Sequence, residues 1–168
     1  MVIKKLRDYL DANNVKYVVI SHSPAFSAQE VAALVHIPGR EIAKTVMVNV
    51  LGKLAMAVLP VSFNIDFNRL SIAMGTGDVF LSTESEFREQ FPDCELGAMP
   101  PFGNLYEIDV YVAESLAEDE EITFNAGSHT DLVKMAYADF FRLVEPKIIS
   151  FTNRYDGYSR PHRPRVYA

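Results

Sequence analysis

One lysine in this chain stands where its segment would place an apolar side chain. Between Glu41 and Val50 the residues alternate with a period of two, so Ile42, Val46, Val48 and Val50 share one face and Ala43, Thr45, Met47 and Asn49 the other. Lys44 falls on the valine face. An ammonium group there loses hydration that only a partner or a solvent-filled cleft replaces, unless its long stem carries the charge out at the strand end. Two glycine-bearing loops accompany it. Gly97-Ala98-Met99-Pro100-Pro101-Phe102-Gly103 brackets a rigid Pro-Pro-Phe step with two flexible residues, giving a bent wall with exposed amides beside it or an ordinary tight connection. Ala126-Gly127-Ser128-His129 is the second. A lysine and two such loops suit the binding of a charged group and the holding of water and backbone amides against a carbonyl.

Other chemistries fit the residues poorly. His22, His36, His129 and His162 contain no pair at metal-ligand spacing, and Cys94 is the single thiol, so no zinc site and no intrachain disulfide is expected. Ser128 next to His129 is adjacency in sequence, not a catalytic triad. Cys94 reads as a small buried hydrophobe. Gly75-Thr76-Gly77-Asp78 lacks the lysine of a phosphate-binding loop and the third glycine of a dinucleotide fold. The net charge of −6 argues against coating a long stretch of nucleic acid, yet residues 146–168 carry +4 and residues 1–145 carry −10. One cysteine and an N-terminus without an apolar core point to a soluble protein of a reducing compartment, the cytoplasm, with no membrane partner.

The elements that must position these residues follow from periodicity. Ile3, Leu6 and Leu10 predict an opening helix over 2–13, and Val15 to Ile20 a strand. Ser27 and Glu30 form a capping pair for a helix carrying Ala28, Val31, Ala32 and Val35. The Lys44 segment and the apolar run Leu54 to Leu59 form a hairpin around Leu51-Gly52. Asp66 caps a helix to Met74, and Thr83 with Glu86 opens another that ends near Phe91-Pro92. Val79 to Leu81 is a short strand. Tyr106 to Val112 alternates as a half-buried strand, a strand around Ile122 and Phe124 leads to Gly127, and Leu132 to Met135 precedes a helix led by Asp139. Hairpins mixed with helices and no regular βαβ repeat give an α+β, mixed α/β class: a curled, barrel-like, largely antiparallel or mixed sheet with surrounding helices. Residues 1–151 form a single domain, and 152–168 a basic tail rich in Arg, Tyr and Pro.

Lys44 within Ala43-Lys44-Thr45, the Gly-x-x-Pro-Pro-Phe-Gly loop at 97–103 and the Ala-Gly-Ser-His segment at 126–129, in this order, resemble the YbaK family over roughly residues 15–145. That family comprises free-standing aminoacyl-tRNA deacylases and the editing domain of bacterial prolyl-tRNA synthetases. The resemblance implies a trans-editing hydrolase that removes a wrong amino acid, alanine or cysteine on proline tRNA, by water attack on the ester, without a cofactor. Its partners would be the aminoacylated 3′ end of tRNA and an aminoacyl-tRNA synthetase. It assigns Lys44, His129, Gly97 and Gly103 to catalysis, with amides near Gly97, Gly103 or Gly127 offered to the oxyanion. Thr45, Met99, Pro100, Pro101, Phe102, Gly127 and Ser128 would bind substrate. Thr45 stands where alanine-specific members often carry asparagine, which leaves the amino acid open. The alternative function is a non-catalytic module that binds aminoacyl-tRNA or a synthetase through the same pocket.

Overall fold

The computed structural model describes residues 1–24 and 28–154; the Ser27 cap and the tail beyond Arg154 lie outside the described residues. In chain order the elements are α1 (Lys4–Ala12), β1 (Tyr17–Ser21), α2 (Ala28–Val35), β2 (Ile42–Val50), β3 (Lys53–Pro60), β4 (Phe63–Ile65), α3 (Phe67–Met74), β5 (Val79–Leu81) and α4 (Glu84–Phe87). There follow β6 (Asp109–Ala113), α5 (Glu114–Ala117), β7 (Glu121–Asn125), β8 (Asp131–Ala136), α6 (Tyr137–Val144), β9 (Lys147–Ile149) and β10 (Thr152–Arg154). No described helix is long and apolar enough to cross a membrane.

Eight strands form one mixed sheet in the order β1-β8-β7-β2-β3-β6-β9, with β5 also paired to β2. The sheet stays open, ending at β1 and β9, so the barrel-like closure expected from the sequence does not occur. The hairpin of β2 and β3 forms with Val50 opposite Lys53 and Ala43 opposite Pro60. Strand β6 starts at Asp109, later than the alternation from Tyr106 suggests, because Gly103–Leu105 forms a 3-10 turn and Glu107 takes a positive φ of 55°. Between β3 and β9 this strand is buried on both faces, which is why Tyr111 is as buried as Val110. Asp66 caps α3 as its sequence predicts, accepting from the amides of Asn68 and Arg69.

The two faces carry separate cores. One face presents Ala43, Met47, Met56, Val58, Val112, Phe124 and Val133 to α1, α4, α6 and the ring of Phe102. The opposite face presents Val48, Ala57, Leu59 and Tyr111 to Leu70 of α3 and to Phe151. A smaller cluster on that second face packs Val31 of α2 against Leu132 and Ile20. Burying a side chain of this size stabilises by about 1.5–3 kcal/mol, so the sheet is held from both sides. Thr152–Arg154 pairs antiparallel with β4, so three residues of the expected tail belong to the fold.

Candidate functional site

Lys44 lies on the second face, paired with Leu59 of β3. On its other side β2 runs parallel to β7 through Ile42↔Thr123 and Ala43↔Phe124. One step further along this register Lys44 stands beside Asn125, whose own partner on β8 is Leu132. The row across the sheet therefore reads Leu59, Lys44, Asn125, Leu132: two polar side chains between the apolar clusters of α3 and α2. Burial without a counter-charge pulls the Lys44 pKa below its ordinary value, and its ammonium has no hydrogen-bond or ion-pair partner among the described residues. The expected anomaly is thus visible as a half-buried, uncompensated charge.

The same stretch of β2 has a break in its ladder. Pairing with β7 stops at Ala43, and contact with β5 resumes where the Ser82 N–H donates to the Met47 carbonyl, followed by Val48↔Leu81. Residues 44–46 have no strand neighbour on that edge, and all three are half-buried. Because successive residues of a strand alternate the direction of their backbone groups, the N–H and C=O of Thr45 point the same way as those of Met47, into the break.

Beyond Asn125 the chain enters the second glycine loop, which is bonded to the first. The Gly127 N–H donates to the Ala98 carbonyl at 2.9 Å, and the Glu95 N–H donates to the Gly127 carbonyl at 2.9 Å. His129 closes the join: its N–H donates to the Glu95 carboxylate at 2.9 Å, and its Nε2 lies 2.7 Å from the Leu96 carbonyl. A carbonyl only accepts, so Nε2 carries the proton and donates, which removes that nitrogen from service as a base. The imidazole Cε1 would lie 3.6 Å from a Cβ on Gly97, a residue with φ of 84° and an exposed backbone. The structure thus brings Gly97, Gly127 and His129 together, with Lys44 one strand away from the segment that leads into them.

Other expected site residues have different surroundings. Phe102 is fully buried, its ring 5.5 Å from that of Phe124 and 5.6 Å from that of Phe140, so it is a core residue and not the wall of a pocket. Met99, Pro100 and Pro101 are buried too, Met99 within the same core. Gly103 serves the turn: its carbonyl accepts from the amides of Tyr106 and Ile108, and a Cβ there would overlap the Ile108 carbonyl oxygen. The Gly127 amide, expected as an oxyanion donor, is committed to Ala98. Ser128 is buried in a polar network, donating to Asp131 at 3.2 Å. Burial alone would raise the Asp131 pKa, but hydrogen bonds from the Met1 amino group, Ser21 and Thr130 outweigh it and hold the carboxyl at about 2. Cys94 is a half-buried thiol, pushed up to about 11 chiefly by burial. Among the described residues no cluster of His, Cys, Asp and Glu could hold a metal. A cleft of about 330 Å³ between Asn104, Asp109, Glu145 and Lys147 contains none of these residues.

Two polar atoms near the break escaped the sequence reading. The Asn125 side-chain oxygen, on the face of Lys44, and the Ser82 hydroxyl, on the opposite face with Met47, are both buried without a hydrogen-bond partner.

Comparison with known proteins adds to this geometry. Residues 22–143 match the family model described as an aminoacyl-tRNA editing domain. A curated protein of Escherichia coli strain K12, the multifunctional Ser/Thr-tRNA deacylase ProXp-y, is 28% identical over 97 residues, 57% of this chain and 58% of that protein. This chain therefore spans a little over half the length of the curated relatives it matches. A solved structure described as a candidate trans-editing enzyme for prolyl tRNA synthetase superposes with a TM-score of 0.75 at 18% identity, covering 89% of this chain and 96% of that one. A solved hypothetical protein gives a TM-score of 0.79 at 19% identity over 89% of this chain and 100% of that one. At such identities the two structures speak for the fold.

Proposed function

Since this chain belongs to the aminoacyl-tRNA editing domain family, the YbaK family, we propose that it acts in trans as a deacylase that hydrolyses the ester joining a wrong amino acid to tRNA. The observation that carries this reading is Lys44, a half-buried ammonium without a counter-charge, placed at a break in the β2 ladder beside the strand that feeds the second glycine loop, which is hydrogen-bonded to the first. Such a group gains a strong charge-assisted bond when an anionic or carbonyl oxygen enters, because little hydration is left to lose.

In this mechanism Lys44 holds a phosphate or ester oxygen of the tRNA 3′ end. A water adds to the carbonyl carbon, the developing oxyanion accepts from the N–H of Gly97, and the C–O bond to the ribose breaks as the ribose oxygen takes a proton. The Gly97 amide suits that task because its N–H makes no hydrogen bond among the described residues, whereas the amides of Ala98 and Gly127 are already used. His129 is a positioning residue that fixes Gly97 through Leu96 and Glu95. No side chain placed here acts as the base, so the proton of the attacking water goes to a substrate oxygen or to solvent.

The substrate is a tRNA bearing a small amino acid. Alanine or cysteine on proline tRNA is one assignment; serine or threonine is the second, favoured by the name of the Escherichia coli relative and by Thr45, half-buried at the break. A synthetase that presents the tRNA is the protein partner this role calls for. Alanyl-, cysteinyl-, seryl- and threonyl-tRNA incubated with wild type and with Lys44→Ala decide between deacylase and binding module. The deacylase reading expects release of at least one amino acid, reduced by about two orders of magnitude in the variant, about 2.7 kcal/mol of transition-state stabilisation. Binding of all four without release by wild type would establish the non-catalytic module instead.

A further inference from the structure

The first glycine loop opens on a hydrogen-bonded turn. The Ala98 N–H donates to the Glu95 carbonyl at 3.0 Å, and Gly97, unlike Leu96, has a positive φ, of 84°, which is the pattern of a type II turn with Gly97 at its third position. A type I turn closes with the same hydrogen bond and differs mainly by rotation of the peptide between its two central residues, here Leu96 and Gly97. Glycine adopts either form without steric cost. The choice matters because a trans peptide carries its C=O and N–H on opposite sides, so the rotation reverses the side on which the Gly97 N–H emerges. In this structure the Leu96 carbonyl accepts from His129 Nε2 at 2.7 Å, which turns the Gly97 N–H away from the imidazole and leaves it without a hydrogen bond among the described residues.

We infer that Glu95 is a positioning residue that selects this orientation, and so aims the amide that the deacylase reading, on which this rests, gives to the oxyanion. Its carboxylate accepts from the His129 N–H at 2.9 Å, and the same oxygen lies 4.0 Å from Nε2. Glu95 thus grips the backbone of the residue whose ring grips the Leu96 carbonyl, within the turn that Glu95 itself begins. The contacts close a circuit from Glu95 to His129, from His129 to Leu96, and back along the chain. Fastening the two loops together does not need this carboxylate, since the Gly127 to Ala98 and Glu95 to Gly127 backbone bonds already do so. The Glu95 side chain is 56% exposed, so its bond to His129 adds little to global stability. What it adds is direction. Without it the His129 N–H loses a charge-assisted acceptor, the ring bond to Leu96 loosens, and the Leu96–Gly97 peptide samples both orientations.

The test uses Glu95→Ala, which removes the acceptor, and Glu95→Gln, which keeps a carbonyl oxygen for the His129 N–H without the charge. In wild type the nuclear Overhauser effect should connect the Leu96 α-proton strongly to the Gly97 amide proton, as a type II turn requires. In Glu95→Ala a strong contact between the amide protons of Leu96 and Gly97 should appear beside it, the mark of type I, while Glu95→Gln keeps the wild-type pattern. On whichever mischarged tRNA wild type hydrolyses, kcat should fall about tenfold in Glu95→Ala with KM little changed, and Glu95→Gln should recover most of that loss. All three proteins should melt at nearly the same Tm. An unchanged turn pattern in Glu95→Ala overturns the assignment, whatever the activity does. So does a loss confined to KM, or a loss of kcat that Glu95→Gln fails to recover, for the carboxylate would then act on the substrate and not through the His129 N–H. If wild type hydrolyses no mischarged tRNA, the deacylase reading fails by itself, and the turn pattern still decides what Glu95 holds.

Discussion

Lys44 carries a consequence that can be read as a pH profile. Its pKa in the folded protein lies below the 10.5 of a free lysine because burial penalises the charged form. The folded state therefore disfavours the ammonium, a cost that is present below the folded pKa and disappears as pH rises through the unfolded value. Lys44→Met should raise Tm at pH 7, with the gain shrinking as the pH approaches 10.5, as thermal melts over that range would show. Binding has the opposite sense: KM for the tRNA should rise on the alkaline side at a lower pH than an exposed lysine would give, and Lys44→Arg should push that rise upward because a guanidinium stays charged. An alkaline limb of KM unchanged in the arginine variant would detach Lys44 from substrate binding. Asp131 has the reverse sign. Its carboxyl, held at about 2, contributes stability above the ordinary value of 3.8 that is lost as pH falls through 2. Asp131→Asn should cost about 2 kcal/mol at neutral pH, and denaturant titrations should show the deficit closing between pH 4 and pH 2. Lys44 was legible in the sequence as a period-two misfit. Asn125 was not, because in Ile122-Thr123-Phe124-Asn125 it looks like any polar residue on an outward face; only the register that sets it beside Lys44 gives it meaning.

At the scale of elements, the two glycines that bracket the 97–103 loop look alike in sequence and divide their tasks in space. Gly97 is exposed with φ of 84°, and a Cβ there would make only ordinary contact with the His129 ring at 3.6 Å, whereas Gly103 has the Ile108 backbone where a side chain would go. Gly103→Ala should therefore lower stability by about 1–3 kcal/mol through overlap, with the kcat of the folded fraction little changed. Gly97→Ala should cost about 1 kcal/mol for its left-handed backbone, yet, on the proposed mechanism, reduce kcat by moving the amide assigned there to the oxyanion. Measuring Tm and kcat on both variants separates the roles, and equal losses of kcat would contradict the division. Sequence alone gave both glycines the same standing because a motif records residue types and not which groups are already bonded. The Pro100-Pro101-Phe102 step shows the same limit: its rigidity was readable, but its direction into the core depended on Tyr9, Phe124 and Phe140, which are distant in the chain.

The whole molecule is closed by its last described strand. Phe151 is fully buried among Leu59, Leu70 and Tyr111, and the following residues pair with β4. Truncation after residue 150 should destabilise by at least the 3–5 kcal/mol typical of losing a buried phenylalanine; denaturant unfolding of the shortened and the full chain checks this. The mixed sheet and its helices were legible from periodicity, but β4, β9 and β10, each of three residues, carry too short a pattern to register. The branched neighbourhood of β2 was equally invisible, since nothing in Lys44-Thr45-Val46 announces that one edge goes unpaired. It has a further consequence in time. A strand at the middle of a sheet normally guards its amides longest, because they open only when the domain unfolds. Here the Thr45 amide faces a gap, flanked by paired positions at Ala43 and Asn49, so hydrogen exchange should find a fast-exchanging site inside the slowest segment of the protein. Slowing of that one amide when an aminoacyl-adenosine analogue is added would report occupancy of the ladder break beside Lys44 directly, without waiting for chemistry.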